Sequence, residues 1–333
     1  MRKFILLSLI TLATLTSQAA GMIKFTITGK TTAKSREITI CNFATGKPVA
    51  SVRVKDGTFT YTDKKYADTY LLLTDKEGRK QNLVITDGAE ITLDMTKDQA
   101  TGTPLNEELY SVAHHAYELQ KKGQDDEATA YLLERIEANK NNCTPVYWMY
   151  RFYSSVGHDN IKKFMSSDAV YAKHPATALV KQQIDKREKE LKMIGTRFKD
   201  FKIPDLTGNK HKLSEFVGNG DYVLIDFWAS WCKPCLSELP NIKANYERYH
   251  SKGFNVIGIS LDQELAKCVS ALGKYDIPWK TLSDLKGWNC VGALAYDLHS
   301  IPFSLLCDGN GNIVAVNLRG KALDRKLKEI YGE

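Results

Sequence analysis

The stretch Tyr222 to Pro240, YVLIDFWASWCKPCLSELP, decides the fold. Its apolar run through Val223, Ile225 and Phe227 predicts a buried strand, and the residues after Cys235 have helical character, so the two cysteines lie at a strand-to-helix turn. Two cysteines with two residues between them either close a small disulfide ring or supply half of a zinc site. Zinc would need two further ligands, usually a second paired motif, and the chain has no other Cys-x-x-Cys, Cys-x-x-His or His-x-x-His. A purely structural bridge is disfavoured too, because a two-residue ring closes almost no loop and gains little from chain entropy. The pair reads as a redox dithiol.

Position supplies the reactivity. Cys232 falls at the helix start, where unpaired amides and the positive end of the dipole stabilise a thiolate, and Lys233 adds a neighbouring cation. Cys235 lies one turn further in and is expected to be less exposed. Attack is therefore assigned to Cys232 and resolution of the mixed disulfide to Cys235.

The run DFWASWCKPC resembles the active-site strand and turn of the thioredoxin superfamily, and Leu236-Ser237-Glu238-Leu239-Pro240 is similar to the envelope reductases related to ResA and TlpA. Trp231, Lys233 and Pro234 then stand as supporting residues of the motif. The resemblance implies that Asp226 is the buried aspartate assisting proton transfer at the resolving thiol, and that Glu238 is an active-site glutamate on the same helical face as Cys235. An Asp inside an apolar strand is costly unless paired or protonated, whereas Glu238 has a plain alternative as a solvated helix residue. Ile301-Pro302 matches the family's cis-proline, whose exposed backbone pairs with an extended client segment; His299 nearby is given no catalytic role.

Ahead of this domain, Met1 to Ala20 combines Arg2 and Lys3, a short apolar core from Phe4 to Leu15, and small residues at Ser17-Gln18-Ala19, the pattern of a cleaved export signal. No cysteine near that site invites a lipid anchor. The formal charge of +7 over 333 residues is mild, and without a basic tract, zinc-finger or RNP-like pattern nothing asks for nucleic acid.

Residues 21–100 alternate in short runs rich in Thr, Val, Ile and Tyr, predicting a small antiparallel β-domain with hairpin signals at Asp56-Gly57 and Asp87-Gly88. This part resembles the amino-terminal β-domain, of undefined function, found before ResA-like domains; binding or scaffolding is its expected use. Residues 101–194 change to helical spacing, as at Leu105, Leu109, Val112 and Ala116, and read as a connecting segment. His114 and His115 diverge on a helix and cannot chelate together. The aromatic run Tyr147, Trp148, Tyr150, Phe152 and Tyr153 reads as packing, with an interdomain or homo-oligomer surface as the alternative.

Residues 195–333 continue the motif strand and helix with a strand at Phe254 to Ser260, a helix to about Lys274, a segment Lys280 to Leu282, and a helix from Asn289 to Tyr296. Two strands then meet at the turn Asp308-Gly309-Asn310-Gly311, and a last helix closes the chain. The order predicts a thioredoxin-like α/β domain with a mixed sheet. Cys41, Cys143, Cys268, Cys290 and Cys307 read as buried inert thiols, with a regulatory Cys268-Cys290 pair as the alternative.

The expected protein is an exported, soluble periplasmic thiol-disulfide oxidoreductase reducing specific client disulfides. It needs no bound cofactor or metal, since Cys232 and Cys235 carry the electrons, and the resemblance implies recharging by another dithiol protein, a membrane or soluble electron donor. An oxidase or isomerase uses the same parts, and a passive envelope scaffold is disfavoured by the intact motif. A peroxiredoxin would want Pro and Thr where Ile225 and Ala229 stand.

Overall fold

The computed structural model describes residues 21–32, 34–75 and 80–332, and the chain divides into two compact units, residues 1–185 and 186–333. The export-signal reading falls on residues 1–20, outside the described residues. Among the described residues no helix is long and apolar enough to cross a membrane.

The first unit opens with strands β1 (Met22–Lys30), β2 (Glu37–Asn42), β3 (Pro48–Arg53), β4 (Thr58–Tyr66), β5 (Tyr70–Asp75), β6 (Gln81–Ile85), β7 (Glu90–Asp94) and β8 (Gln99–Thr101). They form two four-stranded sheets, ordered β4-β1-β7-β8 and β3-β2-β5-β6. Alternation along the strands sends Phe25, Ile27, Ile38, Ile40, Leu71 and Leu73 into one core shared by both sheets. Pairings are antiparallel except that β1 and β7 run parallel. That departs from the all-antiparallel expectation because the chain passes through β5 and β6 of the other sheet before returning beside β1, so no hairpin constrains its direction. The two Asp-Gly pairs are corrected for the same reason. Asp56 (φ 51°) and Gly57 (φ 73°) make a tight turn closed by a Lys55–Thr58 bridge, yet β3 and β4 belong to different sheets, as do β6 and β7 on either side of Asp87-Gly88.

The opposite face of β5 and β6 carries Tyr70, Leu83 and Ile85, which pack with helices α1 (Pro104–Lys121), α2 (Asp125–Ala138), α3 (Pro145–Arg151), α4 (Tyr153–Val156), α5 (His158–Met165) and α6 (Thr177–Leu191). Polar groups align this layer. Asn106, fully buried, accepts from the Ile85 amide (2.9 Å) and donates to the Ile85 carbonyl (2.7 Å), and the Tyr70 hydroxyl donates to the Cys143 carbonyl (2.7 Å). Trp148 and Phe152 are buried in this core, and the His115 ring lies 4.5 Å from that of Tyr131.

The second unit begins within α6, at Lys186, and continues with the hairpin β9 (Lys202–Pro204) and β10 (Lys210–Lys212). There follow β11 (Tyr222–Trp228), α7 (Lys233–Tyr249), β12 (Phe254–Ser260), α8 (Leu265–Lys274), β13 (Thr281–Leu282), α9 (Val291–Ala295), β14 (Phe303–Cys307), β15 (Ile313–Val316) and α10 (Lys321–Tyr331). The five-stranded sheet is ordered β13-β12-β11-β14-β15, with β11 parallel to β12 and antiparallel to β14. This is the expected mixed sheet. Ile225 and Phe227 of β11 point into one core with Phe303 and Ala293, while Leu224 meets Leu239 and Ile242 of α7 and Leu323 and Leu327 of α10 on the other face. Burial of both faces explains the unbroken apolar run of β11. The turn between β14 and β15 depends on glycine, since a Cβ on Gly309 would stand 2.4 Å from the Gly220 carbonyl oxygen.

Candidate active site

The end of β11 and the start of α7 place the two cysteines. Cys232 is the N-cap of α7, with Pro234 in the first turn where no amide hydrogen is required. Cys232 and Cys235 are bonded, with their Cα atoms 5.3 Å apart, and the Cys235 amide donates to Cys232 Sγ at 3.2 Å. A cap position that directs amides at its sulfur stabilises negative charge there once the bond opens. Lys233 and Trp231 are exposed. One expectation changes: Cys232 is 4% exposed and Cys235 3%, so the disulfide form shows no difference in exposure. The bridge draws both sulfurs beneath the same turn.

The loop entering the motif is held from β12. Asp262, 1% exposed, accepts from the Ser230 amide (3.0 Å), the Ser230 hydroxyl (2.6 Å) and the Ser260 hydroxyl (2.9 Å). Reading the sequence missed Asp262. The available signal was a carboxylate directly after an apolar strand, a place where burial demands partners.

Asp226 alternates with Leu224 and so lies on the face of β11 covered by α7 and α10. It is 5% exposed, and burial pushes its carboxyl up to about 7; the Arg319 charge pulls it down and the Glu238 charge pushes it further up. Glu238, half-buried on α7, accepts from the Gly320 amide (2.7 Å) and from Asn241 Nδ2 (2.9 Å). Its carboxylate therefore caps α10 across the fold, in place of the solvated position that was its alternative.

The Ile301–Pro302 peptide bond is cis, and the Pro302 carbonyl accepts from Arg319 Nη2. Arg319 also went unrecognised in the sequence. It precedes the N-terminus of α10, where a cation is electrostatically disfavoured, and that misfit was the signal. Trp288 is a third unpredicted neighbour, 42% exposed with its ring 6.1 Å from that of Trp231, itself 53% exposed. His299 is exposed and faces Asp297.

The remaining cysteines are unbonded, and all but half-buried Cys41 are buried. Burial pushes the thiols of Cys268 and Cys290 up to about 11 and that of Cys307 to about 12, which keeps them protonated and unreactive. Among the described residues no group of His, Cys, Asp or Glu is arranged to hold a metal.

Residues 194–316 match the AhpC/TSA family, and residues 25–109 match the Domain of unknown function (DUF4369). The thiol-disulfide oxidoreductase ResA of Bacillus cereus is 32% identical over 127 residues, which is 38% of this chain and 70% of ResA. ResA of Bacillus thuringiensis subsp. konkukian is 32% identical over 142 residues, 42% of this chain and 79% of that protein. Among solved structures, a thiol-disulfide oxidoreductase from Bacteroides fragilis matches at 31% identity with a TM-score of 0.38, covering 40% of this chain and 99% of that one. The thioredoxin domain of a Bacteroides vulgatus thiol-disulfide oxidoreductase matches at 28% identity and a TM-score of 0.38, covering 41% of this chain and 96% of that domain.

Proposed function

The chain belongs to the ResA-like thiol-disulfide oxidoreductases, with an AhpC/TSA thioredoxin-like domain, and on that premise we propose that it is an exported reductase of specific protein disulfides in the periplasm. The observation that carries this reading is the Cys232–Cys235 bridge at the start of α7, with Cys232 Sγ accepting from the Cys235 amide.

In the reduced protein, the Cys232 thiolate attacks a client disulfide, forming a Cys232–client bond and releasing one client thiolate, which takes a proton. Cys235 then gives its proton to Asp226 and attacks Cys232 Sγ. The Cys232–Cys235 bond forms as the second client sulfur leaves with the electron pair. Two electrons thus pass to the client, whose second thiolate takes the proton held by Asp226 while the first is protonated from water, and another dithiol protein, membrane-bound or soluble, must return the electrons. Exposed Trp231 and the backbone at Ile301 and Pro302 offer the client a landing surface. Negative charge at Glu238 and at ionised Asp226 opposes a strongly stabilised thiolate and favours the reducing direction over an oxidase role.

Cys235→Ser tests the scheme, because it removes the resolving thiol and leaves a hydroxyl of similar size. Expressed with its own amino terminus, this variant should accumulate covalent adducts in the soluble envelope fraction that vanish on reduction, whereas Cys232→Ser should hold few. Mass spectrometry of the adducts names the clients. Equal trapping by both variants would reverse the assignment of the thiols, and a folded Cys235→Ser without adducts would overturn it.

A further inference from the structure

We propose that Arg319 is a positioning residue that joins the client-binding loop at Pro302 to the carboxylates serving the dithiol, so that client docking and proton acceptance from Cys235 are set by one guanidinium. This rests on the reading of Cys232 and Cys235 as the exchanging pair.

Three contacts made within two successive residues carry the inference. Arg319 Nη2 donates to the Pro302 carbonyl and lies 3.4 Å from Asn317 Oδ1, which itself accepts from the Ser304 amide at 3.1 Å. The chain on both sides of Phe303 is therefore gripped from the segment before α10. The next residue, Gly320, donates its amide to Glu238, one turn beyond Cys235 on α7. A single turn thus touches the cis-proline loop and the active-site helix together.

The charges around Arg319 come from three elements: Asp226 on β11, Glu238 on α7, and Glu190 on α6, which also pairs with Arg187 at 3.1 Å. Of the charged groups acting on Asp226, Arg319 is the one that favours its ionised form, against burial and Glu238. A planar guanidinium with several donors can hold a carbonyl on one edge while facing carboxylates, which a lysine ammonium cannot reproduce. When Cys235 bonds to Cys232 Sγ and the client sulfur departs with the bonding electrons, the Cys235 proton moves to Asp226. Arg319 exchanges nothing; it lowers the cost of the carboxylate that must be present beforehand.

The test uses the full chain on a Cys41→Ser background, which removes the half-buried free thiol. Reduced protein is mixed with Ellman's reagent, whose first chromophore is released by attack of Cys232 and whose second is released by resolution through Cys235. Insulin reduction then gives KM for a disulfide protein. Arg319→Met should move the pH inflection of the second phase upwards by about one unit and raise KM for insulin several-fold. Arg319→Lys should leave the inflection in place, because the charge remains, and raise KM as Arg319→Met does. An unmoved inflection or an unchanged KM in folded Arg319→Met overturns the proposal. Should Arg319→Met fail to fold, a wild-type KM in Arg319→Lys overturns it. Failure of the functional reading is distinguishable, since the unsubstituted protein would then show no second phase.

Discussion

A carboxylate in the middle of a covered sheet works against the fold whenever it is charged. The Asp226 carboxyl ionises near 3.8 in an unfolded chain and at about 7 in the folded one. Between those values the unfolded state has released a proton that the folded state keeps, so stability is full below about pH 4 and declines as pH rises to about 7. The loss above that window is about 4 kcal/mol. Asp226→Asn should therefore exceed the wild type in stability by up to about 4 kcal/mol at about pH 8 and match it near pH 4, as read by denaturant unfolding, while slowing resolution of the mixed disulfide. A stability difference that does not vary with pH would show that the Asp226 charge is not its source. This residue was legible in the sequence because an acid inside an apolar run is conspicuous. Arg319 and Asp262 left only faint local signals, because each is an ordinary surface residue type until its partners are known.

At the scale of elements, α7 and α10 are coupled by side chains that reach across. Gly320, the N-cap of α10, has no side chain to offer its first turn, and Glu238 reaches over from α7 to accept from the Gly320 amide itself. Asn245, 6% exposed on α7, adds a 2.7 Å hydrogen bond to Asp324 on α10. Glu238→Ala should destabilise the protein by about 1 kcal/mol at about pH 5, where Asp226 is protonated, and Glu238→Gln should cost less because it keeps an acceptor oxygen. Both remove the charge that pushes Asp226 up, so both should lower the pH inflection of resolution. Thermal unfolding and the pH profile read the two effects separately; equal stability of Glu238→Ala and wild type would remove the capping role. The Asp-Gly turns teach a related lesson. Their backbone conformation is local and readable, as at Asp56 and Gly57, but the strand that pairs with each flank lies elsewhere in the chain.

At the scale of the molecule, the cores are drawn from separate stretches. The two that cover the faces of the active-site sheet draw their residues only from Met193 onwards, and the two of the first unit use residues between Phe25 and Ile184. A chain of residues 186–333 should accordingly unfold cooperatively and equilibrate with glutathione like the full-length protein, nearer about −270 mV than about −120 mV. A molten 186–333, or a value near the oxidising end, would contradict the division of cores or the reducing direction respectively. What the sequence determined by itself was everything written in contiguous residues: the buried strand β11, the capped start of α7, the Cys-Lys-Pro-Cys pair and the acid at Asp226. Those features follow from side-chain alternation, helix-end chemistry and spacing, each complete within a few residues. Only the tertiary structure decided that Arg319 meets Pro302, that Asp262 anchors Ser230, and that Glu238 caps α10. Those pairs lie 17, 32 and 82 residues apart. Sheet order and helix packing bring them together, and no local preference encodes that meeting.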